Sequence, residues 1–120
     1  MDELIAFLKA RLDEDEAMAR DLLRAHPGPW RIDLPSDVRD STGKVVVADE
    51  YHWDPMPHIA RYDPAWALRD VAAKRAIIAE YEEFNGEYEW QSALSFAIVR
   101  LAAAWDDHPD YLPEWASARG

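Results

Sequence analysis

Apolar residues return at three- and four-residue steps from Ile5 through Leu8, Leu12, Ala19 and Leu22, the spacing of one face of a helix. That pattern predicts a helix over about 2–25. Asp2 suits its start and Arg20 and Arg24 its far end, while the stripe breaks at Asp15, inside the acidic run Asp13 to Glu16. His26-Pro27-Gly28-Pro29 then stops the helix, because proline lacks the donor a helix needs and clashes with the preceding turn. Trp30-Arg31-Ile32-Asp33-Leu34 switches to strict alternation, which predicts a half-buried strand over 30–34 that Pro35 either stops or places at a sheet edge. Asp40-Ser41-Thr42-Gly43 is a turn, and the β-branched run Lys44-Val45-Val46-Val47-Ala48 follows it. Short strands over 38–40 and 44–48 therefore form a hairpin, with the Trp30 strand as a third member.

A sheet this small is marginal by itself and needs a helix across one face, so the fold class is α+β, mostly helical, with a small antiparallel sheet between the first and second helices. The segment Tyr51-His52-Trp53-Asp54-Pro55-Met56-Pro57 reads as a loop. Asp63-Pro64 is a strong helix start, since aspartate accepts from orphan amides and proline fits the first helical position. A second helix over about 64–84 carries Trp66, Val71, Ile77, Ile78 and Tyr81 on its apolar arc and stops at Asn85-Gly86. A third, over about 88–105, puts Trp90, Leu94, Ala97, Leu101 and Trp105 on one face. A single helix from Pro64 to Trp105 is the alternative, at a cost of about 1 kcal/mol for the internal glycine. The aromatic tail 108–116 is expected to pack back, completing one domain over 1–120.

The chain of 120 residues has no cysteine, which excludes disulfides, thiolate metal sites and a thiol nucleophile. Its first ten residues mix Asp2, Glu3 and Lys9 with apolar positions, unlike a signal peptide, so a cytoplasmic location is expected. The apolar stretch from Phe96 to Trp105 is broken by Arg100 and is far shorter than the roughly 20 residues a membrane span needs. A formal charge of −11 repels phosphate backbones, so neither nucleic acid nor membrane is an expected partner. The one basic segment, with Arg61, Arg69, Lys74 and Arg75, is too sparse to change that.

The string HIARYDPAWALRDVAAKRAII, from His58 to Ile78, resembles a motif of an uncharacterised domain-of-unknown-function family of small actinobacterial and actinophage proteins. The opening MDELIAFLKARLDEDE, a tryptophan leading into a DSTGKVVV-type hairpin, and the ending DDHPDYLPEW look like further parts of that family, in the same order. The resemblance implies a shared fold and host range and no activity. It also implies relatives with a cysteine cluster before the HPDY-like tail. Here Glu82 to Ala104 holds no cysteine, so no zinc site carries over.

His58, Arg61 and Asp63 converge on a helix start, where an imidazole and a guanidinium beside exposed amides would hold an anion; the plainer reading makes Asp63 a cap. His52 and His58 with Asp54, and separately Asp106, Asp107, His108 and Asp110, are donor sets for a divalent metal or a general base, at spacings that match no standard ligand motif. No serine sits in a nucleophile elbow and no glycine loop cradles phosphate, which makes an enzyme the lesser class. Six tryptophans in so short a chain favour contact surfaces. Trp66, Trp90 and Trp105 read as core, while Tyr51, Trp53 and Met56 read as an exposed aromatic patch. The run Glu80, Glu82, Glu83, Glu87 and Glu89 is either a solvated helix face or an imitation of a nucleic-acid backbone.

These residues point to a small acidic accessory protein that acts by protein–protein interaction, with another protein or a second copy of itself as partner and with no cofactor. Its expected contacts are Tyr51, Trp53, Met56, His58, Arg61, Glu82, Glu83, Glu87 and Glu89. The alternatives are a DNA-mimic inhibitor of a nucleic-acid-binding protein, and a metal-dependent hydrolase using His52, His58 or His108.

Overall fold

The computed structural model describes residues 1–33, 37–49, 54–84 and 88–117, and the side chains of all of these except 88–91 and 117. In chain order it forms α1 (Asp2–Ala25), β1 (Arg31–Asp33), β2 (Asp37–Arg39), β3 (Val45–Ala48), α2 (Met56–Arg61), α3 (Pro64–Glu83), α4 (Tyr88–Ala102), a 3-10 turn (Ala103–Trp105) and α5 (Pro113–Ser117). The class is α+β, as expected. Two compact units divide it, one of Met1–Asp13 with Ala72–Gly120 and one of Glu14–Val71, and the division falls within α1 and within α3. None of the described helices is long and apolar enough to cross a membrane.

In the first unit, the start of α1 buries Leu4, Ile5, Phe7, Leu8 and Leu12, a wider face than Ile5, Leu8 and Leu12 alone predict. Arg11 joins it at 8% exposure, its guanidinium 5.0 Å over the Phe7 ring and its Nη1 2.8 Å from His108 Nε2. The expected packed tail is present. Phe7 lies 5.2 Å from Trp115 and 6.0 Å from Tyr111, ring centre to ring centre, and Tyr111 meets Trp115 edge-on at 5.3 Å. α4 buries Ile98, Val99 and Ala102, whereas Leu94, Ala97 and Leu101 are only half-buried, so its inward face is turned from the predicted one. The two stripes are neighbours on the helix, and the alanines at 102–104 give the sequence little contrast to separate them. Ion pairs Lys9–Glu82 at 3.0 Å and Arg75–Asp13 at 2.7 Å lie on the surface, where each adds at most about 1 kcal/mol.

The second unit holds the sheet, ordered β1-β2-β3 and antiparallel throughout. Ile32 pairs with Val38 and Val38 with Val47, and the register slips between Val38 and Arg39. Val38, on the central strand, is fully buried, while β1 is exposed along its length and Ile32 is 42% exposed. The strand lies at the sheet edge, one of the two readings Pro35 allows, and the expected half-burial is corrected: Arg31, Ile32 and Asp33 are all exposed. α2 packs against β1 and β2 and supplies the helix the sheet requires. Its sequence reads as loop because Pro55 and Pro57 flank Met56, yet a proline in the first helical turn forfeits only a donor that has no intrahelical partner there. The turn between β2 and β3 uses Gly43 at φ +87°, a backbone open to glycine at low cost. Gly28 serves a different need: a Cβ there would lie 3.0 Å from Ala65 Cβ, so the loop after α1 sits directly on the first turn of α3.

Candidate functional site

Two buried aspartates organise the second unit. Asp63, 5% exposed, accepts from the Trp66 N–H through Oδ1 at 2.8 Å and from the Trp30 N–H through Oδ2 at 2.8 Å. One carboxylate therefore caps α3 and pins the chain that follows α1 to it. Asp40 is fully buried and takes donors from the Thr42 hydroxyl at 2.5 Å, the Thr42 amide at 2.9 Å and the Lys44 amide at 3.1 Å, while its other oxygen lies 3.0 Å from His26 Nδ1. The Thr42 hydroxyl above all, helped by His26 and the two amides and opposed by burial, lowers its carboxyl pKa from the ordinary 3.8 to about 2.

These anchors set Trp30. Its indole N–H donates to the His26 carbonyl at 2.9 Å, its ring meets His26 edge-on at 6.3 Å, and its backbone is held by Asp63. The Ser41 amide donates to the Pro27 carbonyl at 2.9 Å, tying the hairpin turn to the same loop. Trp30 thus enters one wall of an open groove of about 420 Å³ with little freedom. Met18 and Leu22, one turn apart on α1, line it too, with Tyr62 at the end of α2 and Trp66 on the first turn of α3. Exposure of these four is 61%, 46%, 45% and 37%. The rings of His58, Tyr62 and Trp66 form a ladder, with centres 4.7 Å and then 4.8 Å apart, the second pair nearly perpendicular. The charged side chains lining the groove are the carboxylates of Asp15 and Asp70.

The structure treats the sequence candidates unequally. Tyr51, Trp53 and Glu87 lie outside the described residues, as does the Glu89 side chain. Met56 is corrected: at 2% exposure it belongs to the core under α2 and offers no surface. His58 and Arg61 are exposed on α2, and His58 reaches the groove. Asp63 acts as the cap, its oxygens already accepting from two backbone amides. Glu83 is exposed, and Glu82 is engaged by Lys9. His52 lies outside the described residues, while His108 packs on Phe7 and Arg11 and its Nδ1 accepts from the Asp110 amide at 3.0 Å. Among the described residues no group of three His, Asp or Glu side chains is placed to hold a metal ion.

Trp66, predicted as core, is the other correction, and Leu22, on the apolar stripe of α1, shares its exposure. Both stand on helical stripes, but Leu22 and Trp66 line the groove at 46% and 37% exposure, and the Trp66 ring stands edge-on to Tyr62. The signal that could have found the groove is the pair Met18 and Leu22, at four-residue spacing past the acidic break, together with aromatic residues on both sides of the Asp63-Pro64 helix start. Chemically, the arrangement is an apolar and aromatic surface with a preformed wall, suited to gripping.

The model of a family of unknown function (DUF6221) matches residues 1–117, and the chain belongs to that family. No curated protein and no solved structure matches the chain.

Proposed function

We propose that this member of a family without a known function acts by binding another protein, and that the groove of the second unit is the docking surface. The observation that carries the reading is the exposure of Met18, Leu22, Tyr62 and Trp66 around one cleft whose wall is held by Asp63 and Asp40. Large apolar side chains grouped at one exposed place mark interaction surfaces, and aromatic residues in preorganised pockets dominate binding energy. The resemblance of the sequence to small actinobacterial and actinophage proteins extends the reading to a cytoplasmic role in the encounter of phage and host.

The test replaces Met18 and Leu22 together by serine. Both are surface positions, so folding should change by no more than about 0.5 kcal/mol for each. Tagged parent protein and the double variant are compared in affinity capture from an actinobacterial extract. A partner retained by the parent and lost by the equally folded variant supports the reading. Equal retention by both removes the groove from it.

A further inference from the structure

We infer that His26 is a phosphoryl-acceptor site, whose Nε2 attacks an activated phosphoryl donor such as a phosphoramidate or an acyl phosphate. The site lies outside the lining of the groove and does not depend on the docking reading.

The hydrogen bonds around Asp40 decide which nitrogen of the imidazole can react. Oδ1 accepts from the hydroxyl and amide of Thr42 and from the Lys44 amide, and Oδ2 lies 3.0 Å from His26 Nδ1. A carboxyl whose pKa is lowered to about 2 is ionised at neutral pH and only accepts, so the proton of the neutral imidazole sits on Nδ1 and the free lone pair on Nε2. Nδ1 is turned to a fully buried carboxylate while the His26 side chain is 20% exposed, so the edge that carries Nε2 faces outward. The backbone holds the residue in place: the His26 amide donates to the Leu22 carbonyl at 2.7 Å, and its carbonyl accepts from the Trp30 indole at 2.9 Å. A carboxylate behind an imidazole fixes the tautomer and strengthens the outer nitrogen as a base and nucleophile. The other described histidines are placed differently, His58 against the Tyr62 ring and His108 beside the Arg11 guanidinium and the Asp110 amide.

Charge selects the group transferred. Arg31 donates through Nη1 to the carbonyl of the same Asp40 at 3.1 Å, and Lys44 is exposed on the same turn. A phosphoryl group brings a charge near −2, which these two cations favour. A metal ion at Nε2 would need further donors, and among the described residues no group of three His, Asp or Glu side chains is placed to hold one. In the reaction the Nε2 pair forms the bond to phosphorus, and the bond from phosphorus to the leaving group breaks. That group departs with its electron pair, as ammonia when the donor is phosphoramidate. The Nδ1 proton stays in the hydrogen bond to Asp40, and nothing is oxidised or reduced.

Folded full-length protein is incubated with potassium phosphoramidate at about pH 8, above the ordinary imidazole range, and phosphohistidine is followed site by site by phosphorus NMR and peptide mass spectrometry. His26 should be phosphorylated on Nε2 at least about tenfold faster than the exposed His58, and the difference should vanish in urea. Asp40→Asn should slow His26 about tenfold and leave His58 unchanged. Arg31→Gln, at an exposed position, should slow His26 several-fold in a chain that still folds. If the asparagine variant does not fold, the urea comparison and Arg31→Gln decide the matter. Equal rates at His26 and His58 in the folded protein, phosphorylation of His26 on Nδ1, or a folded Asp40→Asn variant that reacts at the parent's rate would each overturn the inference. Parental rates in Arg31→Gln overturn the choice of a phosphoryl group.

Discussion

Replacing Asp63 by alanine removes two acceptors in one step. The amide of Trp66 loses its cap, which for an aspartate at a helix start costs about 1 kcal/mol. The amide of Trp30, part-buried against the same carboxylate, loses its acceptor, and an unsatisfied buried donor costs about 1–3 kcal/mol. Together these predict a loss of about 2–4 kcal/mol. With a urea slope near 2 kcal/mol/M, the unfolding midpoint should fall by about 1–2 M. Tryptophan fluorescence suits the measurement, since Trp30 and Trp66 flank the substituted residue, and circular dichroism at a helical wavelength gives an independent transition. Asp63→Asn keeps one carbonyl oxygen and should lose roughly half as much. An alanine variant within about 0.5 kcal/mol of the parent would refute the claim that this carboxylate holds the loop after α1 to α3, and so would an asparagine variant as damaging as alanine.

Two further outcomes follow from the same reasoning. Asp40 has its carboxyl pKa lowered from 3.8 to about 2 in the folded chain, so the stability it contributes is present above pH 3.8 and lost as pH falls through about 2. Asp40→Asn should therefore unfold at lower urea than the parent above pH 4, with the gap closing on acidification, and a gap that does not change with pH would contradict the assignment. In the other unit, Phe7 is 7% exposed and contacts the rings of His108, Tyr111 and Trp115, so Phe7→Ala should cost about 3–5 kcal/mol in thermal or chemical unfolding, and a cost below about 1 kcal/mol would show that the tail is not held by that ring.

Local chemistry made much of the fold legible. The Asp63-Pro64 start, the glycine turn at 40–43, the proline stop after α1 and the return of the aromatic tail are each written in a few consecutive residues, because caps, turns and breaks act over one or two peptide units. The end of α3 at Glu83 was legible in the same way, from the stop signal in the sequence that follows it. α2 was not legible: six residues with prolines around Met56 carry no periodicity, and its burial of Met56 and its packing against β1 and β2 are tertiary. Pro35 allowed an edge position for β1, but the exposure of all three of its residues was hidden, since alternation shows that a strand has two faces without showing whether either is covered.

The sequence by itself determined that the chain is acidic, cysteine-free, α+β, with long helices and a short antiparallel sheet, and poor in the motifs of known catalysis. Tertiary structure decided which apolar residues were left over. Leu22 and Trp66 satisfy the same helical periodicity as Leu12 and Val71, yet the first pair is exposed in a groove and the second pair is buried. Periodicity reports only the side of a helix that is apolar; what lies opposite that side depends on chain segments far away in sequence, here the Pro27–Trp30 loop drawn onto α3 by Asp63, and that is a property of packing rather than of spacing.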